Sequence, residues 1–221
     1  MNEKILTKFI LAFLIEKPDY LELSQHQQQL VFETSKTIMV AIYNAIKLYP
    51  KSGMVCCARY LIDNITKNTN LIIAKKYEGK LTEINFFENP HIFLHTSSTV
   101  IEKNVLDQSG GFPEKMRKNE DLALFFSIAL IKNTVYCGIP LSYYYSNIEN
   151  QLTTINRNFP TKSNLDVCKR FNLTYKLWHS RGRENKVFKI FLKYELRHII
   201  LSALRENNFS TIELFVNNID N

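Results

Sequence analysis

The chain has 221 residues, 45% of them hydrophobic, with only six glycines and six prolines, which argues against a disordered chain and predicts an ordered globular protein with one good core or two small ones. Its 28 basic residues outnumber 21 acidic ones to give +7, a balance that suits an anionic partner (nucleic acid, a phosphorylated small molecule or a membrane surface) without choosing among them. Cys56, Cys57, Cys137 and Cys168 show no paired spacing, and the five histidines show no HxxxH or HExxH pattern, which argues against a disulfide framework and a structural metal.

The first apolar segment, FILAFLI at 9–15, is followed at once by Glu16, Lys17 and Pro18. A membrane span needs about 20 apolar residues, and no small-residue cleavage site follows, so the expectation is a chain that is cytoplasmic or peripheral at the membrane. Residues 35–49 carry Ile38, Ile42, Ala45, Ile46 and Tyr49 at helical spacing and are stopped by Pro50 and Gly53, predicting an amphipathic helix. MVCCARYLI at 54–62 reads as a buried strand, DNITKNTN as a polar turn, and LIIA at 71–74 as a second strand. FLHTSSTVI at 93–101 is a further strand candidate. Leu122 to Ile131 are too evenly apolar for a surface helix and predict one buried on most faces, with Asn119 as N-cap. TVYCGIPLSYYY at 134–145 supplies one or two more strands.

Helix and strand alternating in this way predict an α/β sheet layer as far as about residue 150. Past Pro160 the pattern turns helical: Leu165, Cys168, Phe171, Tyr175 and Trp178 recur every three to four residues, and KVFKIFLKYELRHIILSAL reads as a long helix. RGRENK at 181–186 is the expected joint between these helices, and Ser210 with Glu213 reads as a capping box opening a last short helix.

The adjacent acids Glu120 and Asp121 have a plain structural explanation, since acids in a first helical turn accept free backbone N–H groups and stabilise the dipole by about 0.3–1 kcal/mol each. Their surroundings suggest more. HTSSTVIEK, the turn NVLDQS, Gly-Gly-Phe, a basic loop, Glu-Asp with Leu124 three residues past the Asp, a buried helix and IPLSYYYSNIENQLTT together resemble family 2 glycosyltransferases, which have a GT-A-like, nucleotide-diphospho-sugar transferase fold. YPKSGMVCCARYL is similar to that family's segment after its metal-binding motif, so the likeness runs from about residue 36 to 155.

The resemblance implies that Asp121 is the catalytic base of an inverting transfer, removing the acceptor hydroxyl's proton as it attacks the anomeric carbon, with Glu120 orienting the site or contacting the acceptor. It implies that Gly110 and Gly111 let the backbone approach the sugar, that Phe112 packs on a sugar face, with a core phenylalanine anchoring the loop as the equal alternative, and that Thr96, Ser97 and Ser98 floor the substrate cleft. A divalent metal, magnesium or manganese, is expected of the family, but its Asp-x-Asp and Tyr-Arg-x-His ligand motifs are not found. FLIEKPDYLE at 13–22 offers Glu16 and Asp19 at the wrong spacing.

The chain therefore resembles the acceptor-side half of such an enzyme with the nucleotide-binding half missing. The expected organisation is a partial transferase domain at 1–155 and a helical appendage at 156–221. Expected partners are a nucleotide-sugar donor, a glycan or lipid-linked acceptor, and another chain supplying the missing half. The alternative is a non-catalytic remnant or accessory subunit. A basic nucleic-acid binder is less favoured, because the cations are dispersed and no nucleic-acid-binding motif occurs.

Overall fold

The computed structural model describes residues 24–116, 118–148, 160–181 and 184–219. FILAFLI, FLIEKPDYLE, the end of YYYSNIENQLTT and the boundary at 155 lie outside them. The protein is a mixed α/β structure built on a five-stranded sheet.

Helix α1 (Gln25–Leu48) begins ten residues before the expected start, because QHQQQ, otherwise a polar low-complexity tract, is made of good helix formers. Strand β1 (Ser52–Asp63) follows it. Asp63 then turns the chain: its Oδ1 accepts from the Ile65 and Thr66 amides at 2.8 and 3.0 Å, an Asx-type turn that sends β2 (Thr69–Ile72) back antiparallel to β1. Strand β3 (Leu81–Ile84) and the one-turn helix α2 (Pro90–Phe93) come next, both unforeseen in the sequence.

The strand expected over 93–101 shrinks to β4 (Thr99–Ile101), because His95 starts a tight 3-10 turn at Thr96–Ser98. Helix α3 (Lys103–Gln108), buried helix α4 (Glu120–Ile131) and strand β5 (Asn133–Ser146) complete the sheet layer. β5 runs parallel to β1 along its length, β3 pairs antiparallel with the outer edge of β5, and β2 and β4 occupy successive stretches of the other edge of β1.

The register of β5 against β1 jumps from Cys57–Cys137 to Ala58–Pro140. The bulged Gly138 exchanges backbone bonds with the turn before β3, donating to the Lys80 carbonyl at 2.8 Å and accepting from the Gly79 amide at 2.9 Å. The approach is close enough that only glycine fits, since a Cβ at 138 would collide with the Tyr77 carbonyl.

Three helices follow, α5 (Pro160–Ser180), α6 (Lys186–Arg205) and α7 (Phe209–Asn218). The last opens at Asn208, whose side chain accepts from the Thr211 amide, and not on the expected Ser210–Glu213 box. These helices share the sheet's core: Phe188 and Phe191 meet Phe87 and Phe126 edge-on, with ring centroids 4.7 Å apart for Phe87–Phe188 and 5.3 Å for Phe126–Phe191. The Trp178 indole donates to the Asn185 carbonyl at 2.9 Å and closes the corner between α5 and α6.

Within this helical layer Arg170 is buried with its guanidinium 5.1 Å from the Phe126 ring and 3.1 Å from a Glu195 oxygen. Burial would raise the Glu195 pKa, but His91 at 3.2 Å and Arg170 outweigh it and hold the carboxyl below its ordinary range. All four cysteines are free and buried, and burial pushes the Cys56 and Cys57 thiols up to about 12 and about 11, which disfavours the thiolate form.

Candidate functional site

A helix that returns the chain between two parallel strands runs antiparallel to them, so the N-terminus of α4 lies toward the C-terminal ends of β1 and β5, where open α/β sheets present ligand crevices. Asp121 sits in that first turn, half-buried. Its Oδ1 accepts from the Leu122 amide at 2.7 Å and its Oδ2 accepts from the Thr96 hydroxyl at 3.0 Å. Asn119 holds the cap position in a left-handed conformation with φ 63° and makes no side-chain capping bond, so the expected cap is replaced by Asp121 serving its own turn.

The hydroxyl run His95-Thr-Ser-Ser-Thr explains itself from the turn outward. The Ser98 and Thr99 hydroxyls both donate to the His95 carbonyl, at 3.1 and 2.8 Å, and the Ser97 amide donates to His95 Nδ1 at 3.2 Å. Ser98 is buried and Ser97 is exposed, and of the three residues expected to floor a cleft only Thr96 reaches Asp121. That floor is a 3-10 turn, not the strand the sequence suggests.

Three further groups gather here that sequence reasoning did not select. With Nδ1 accepting a hydrogen bond, the neutral His95 ring carries its proton on Nε2. Burial, aided by the Arg59 charge and opposed by Asp121, lowers the His95 pKa to about 4. Arg59, on β1, donates to the Ile92 carbonyl at 3.2 Å and reaches the His91 carbonyl at 3.5 Å. Tyr144, on β5, lies with its ring centroid 4.3 Å from that of His95. The arrangement holds a carboxylate, a hydroxyl, a neutral imidazole and a half-buried cation near one sheet end, a set able to hold and deprotonate a hydroxyl ligand.

No family model matches the chain, and no curated protein is similar to it in sequence.

Of the remaining expected site residues, Gly110 and Gly111 have positive φ of 84° and 70°. The Gly110 amide donates to the Asp107 carbonyl and the Gly111 amide to Leu106, a Schellman stop to α3 that accounts for both glycines locally. Phe112 is 52% exposed and so is not a core anchor. Glu120 is half-buried beside Asp121. Among the described residues no three His, Cys, Asp or Glu side chains converge to hold the divalent metal that the resemblance implies.

Proposed function

We propose that Asp121 acts as the base of an inverting glycosyl transfer, taking the proton of an acceptor hydroxyl on a glycan or lipid-linked sugar as that oxygen attacks the anomeric carbon of a nucleotide sugar, while the bond from that carbon to the diphosphate oxygen breaks and the nucleoside diphosphate leaves with the electron pair. The observation that supports this reading is the 3.0 Å bond from the Thr96 hydroxyl to Asp121 Oδ2, since a carboxylate that accepts from one hydroxyl offers the same chemistry to another. Asp121 stands in the first turn of α4. Exposed Phe112, placed shortly before α4, offers an aromatic surface of the kind that sugar rings pack against. The proposed step runs through no metal.

A second reading, an acceptor-binding subunit without catalysis, is favoured by the same carboxylate having both oxygens engaged by its own chain. The test is release of nucleoside diphosphate from a panel of uridine, guanosine and thymidine diphosphate sugars, with simple glycosides as acceptors, with and without manganese. Turnover that falls by about 10²–10⁴ in Asp121→Asn supports the base. Turnover unchanged in that variant removes Asp121 from the chemistry. No turnover, together with glycoside binding seen by saturation-transfer NMR, selects the second reading.

A further inference from the structure

The chain's positive charge is not evenly spread. Residues 160–205 contain eleven Lys and Arg against three Asp and Glu, an excess of eight where the whole chain has seven. Two of the three acids are internal: Asp166 is buried and paired with Lys169 at 3.0 Å, and Glu195 is held by Arg170 and His91. The exposed charge of α5 and α6 is therefore mainly cationic, with Glu184 between them and Glu206 just past α6 as the exposed acids.

Helix α6 gives that charge a shape. Its inward side carries Phe188, Phe191, Glu195 and Ala203. On the opposite side, at 100° per residue, Ile190, Tyr194, Leu201 and Leu204 fall within about 40° of one line. All four are exposed, Ile190 by 67% and Tyr194 by 69%. Exposed Lys186, Lys189, Lys193, Arg197 and Arg205 share or flank the line, and among the described residues none of the five is paired with a carboxylate. Glu195, the helix's own acid, faces the core.

We infer that this face of α6 docks on an anionic lipid surface, with Ile190, Tyr194, Leu201 and Leu204 entering the headgroup–acyl boundary and the ring of cations meeting lipid phosphates. A helix of 20 residues is about 30 Å long and can lie flat in the interface. Charge complementarity identifies the sign of the partner. The apolar centre separates a membrane from a nucleic acid, because a phosphodiester backbone rewards the cations and offers nothing to Ile190 or the two leucines. Among the described residues no helix is long and apolar enough to cross a membrane, so the attachment is one of contact. It is independent of the chemistry proposed at Asp121.

The experiment is co-sedimentation of the full chain with vesicles of phosphatidylcholine alone and of phosphatidylcholine containing about a third phosphatidylglycerol. Two variants at exposed positions accompany it, Ile190→Ser/Leu201→Ser and Lys189→Gln/Lys193→Gln/Arg197→Gln, each checked for an unchanged melting temperature. The wild-type chain should partition at least about tenfold better onto the anionic vesicles, the serine variant should lose most of that binding, and the glutamine variant should lose about fivefold per cation removed. Equal binding to both vesicles, or none to either, overturns the inference. Retained vesicle binding by the serine variant, with tight binding of polyuridylate by both proteins, would show a surface for polyanions instead. A wild-type dimer that the serine variant converts to a monomer would show that a second copy covers the face.

Discussion

Replacing Gly138 by alanine should destabilise the protein by about 2–4.5 kcal/mol, by a route that can be followed atom by atom. The added Cβ would run into the Tyr77 carbonyl oxygen, with the carbonyl carbon at 2.6 Å and Glu78 Cα at 3.1 Å, all backbone atoms that cannot rotate aside. The 77–80 turn would have to move off β5, stretching the 2.8 and 2.9 Å bonds that join Gly138 to Lys80 and Gly79. Those two bonds are worth about 1 kcal/mol each, and forcing a methyl into a packed contact costs about 1–3 kcal/mol more. The reduced freedom of the unfolded alanine chain returns about 0.4–1 kcal/mol, which does not change the sign. With a urea slope of about 2 kcal/mol/M, the midpoint should fall by roughly 1–2.3 M. A shift smaller than about 0.5 M would mean that the turn does not dock on the bulge as described.

Removing one partner of the buried pair, in Arg170→Met, should cost about 3–5 kcal/mol by stranding Glu195, whereas adding Glu195→Leu should recover most of it; a double variant as unstable as the single one would show that Arg170 acts through packing alone. His95, with its pKa drawn from 6.5 to about 4, binds its proton more readily in the unfolded chain, so the stability it contributes is whole above pH 6.5 and is lost as pH falls toward 4. Allowing for the solvent that reaches the ring, wild type should lose about 1–2 kcal/mol more than His95→Gln between pH 7 and pH 4.5 in urea titrations, and parallel losses in the two proteins would refute the assignment.

The sequence displays most plainly the elements whose residues are apolar in an unbroken run. MVCCARYLI, apolar but for Arg59, and the stretch after Asp121, apolar but for Ser127, become β1 and α4 because burial on most sides leaves few polar positions to confuse the period. The segment 81–93 was illegible for the opposite reason: β3 has four residues, and Phe86, Phe87 and Phe93 are brought inward by short turns with no repeat of their own. At 93–101 strand propensity yielded to local bonding, since His95, Ser98 and Thr99 satisfy each other's groups in a turn. The meeting of Thr96 with Asp121 follows from the order of motifs along the chain. Arg59, His95 and Tyr144 do not, because they are 36 and 49 residues apart in sequence and only the pairing of β1 with both β5 and β4 unites them.

The placement of β5 between β1 and β3 also dictates an order of assembly. β3 pairs with β5, and β5 leaves the ribosome some fifty residues after β3 does. Until then the nascent chain can zip β2 and β4 onto β1, but β1 keeps one open edge and β3 waits as an orphan strand. The wedge that closes the sheet arrives last and joins at long range, the kind of contact that slows folding and exposes strand edges to neighbours. A ribosome paused between α4 and β5 would hold a half-built sheet with one edge of β1 open, and any extended segment from another chain able to pair with that edge would compete with the protein's own β5.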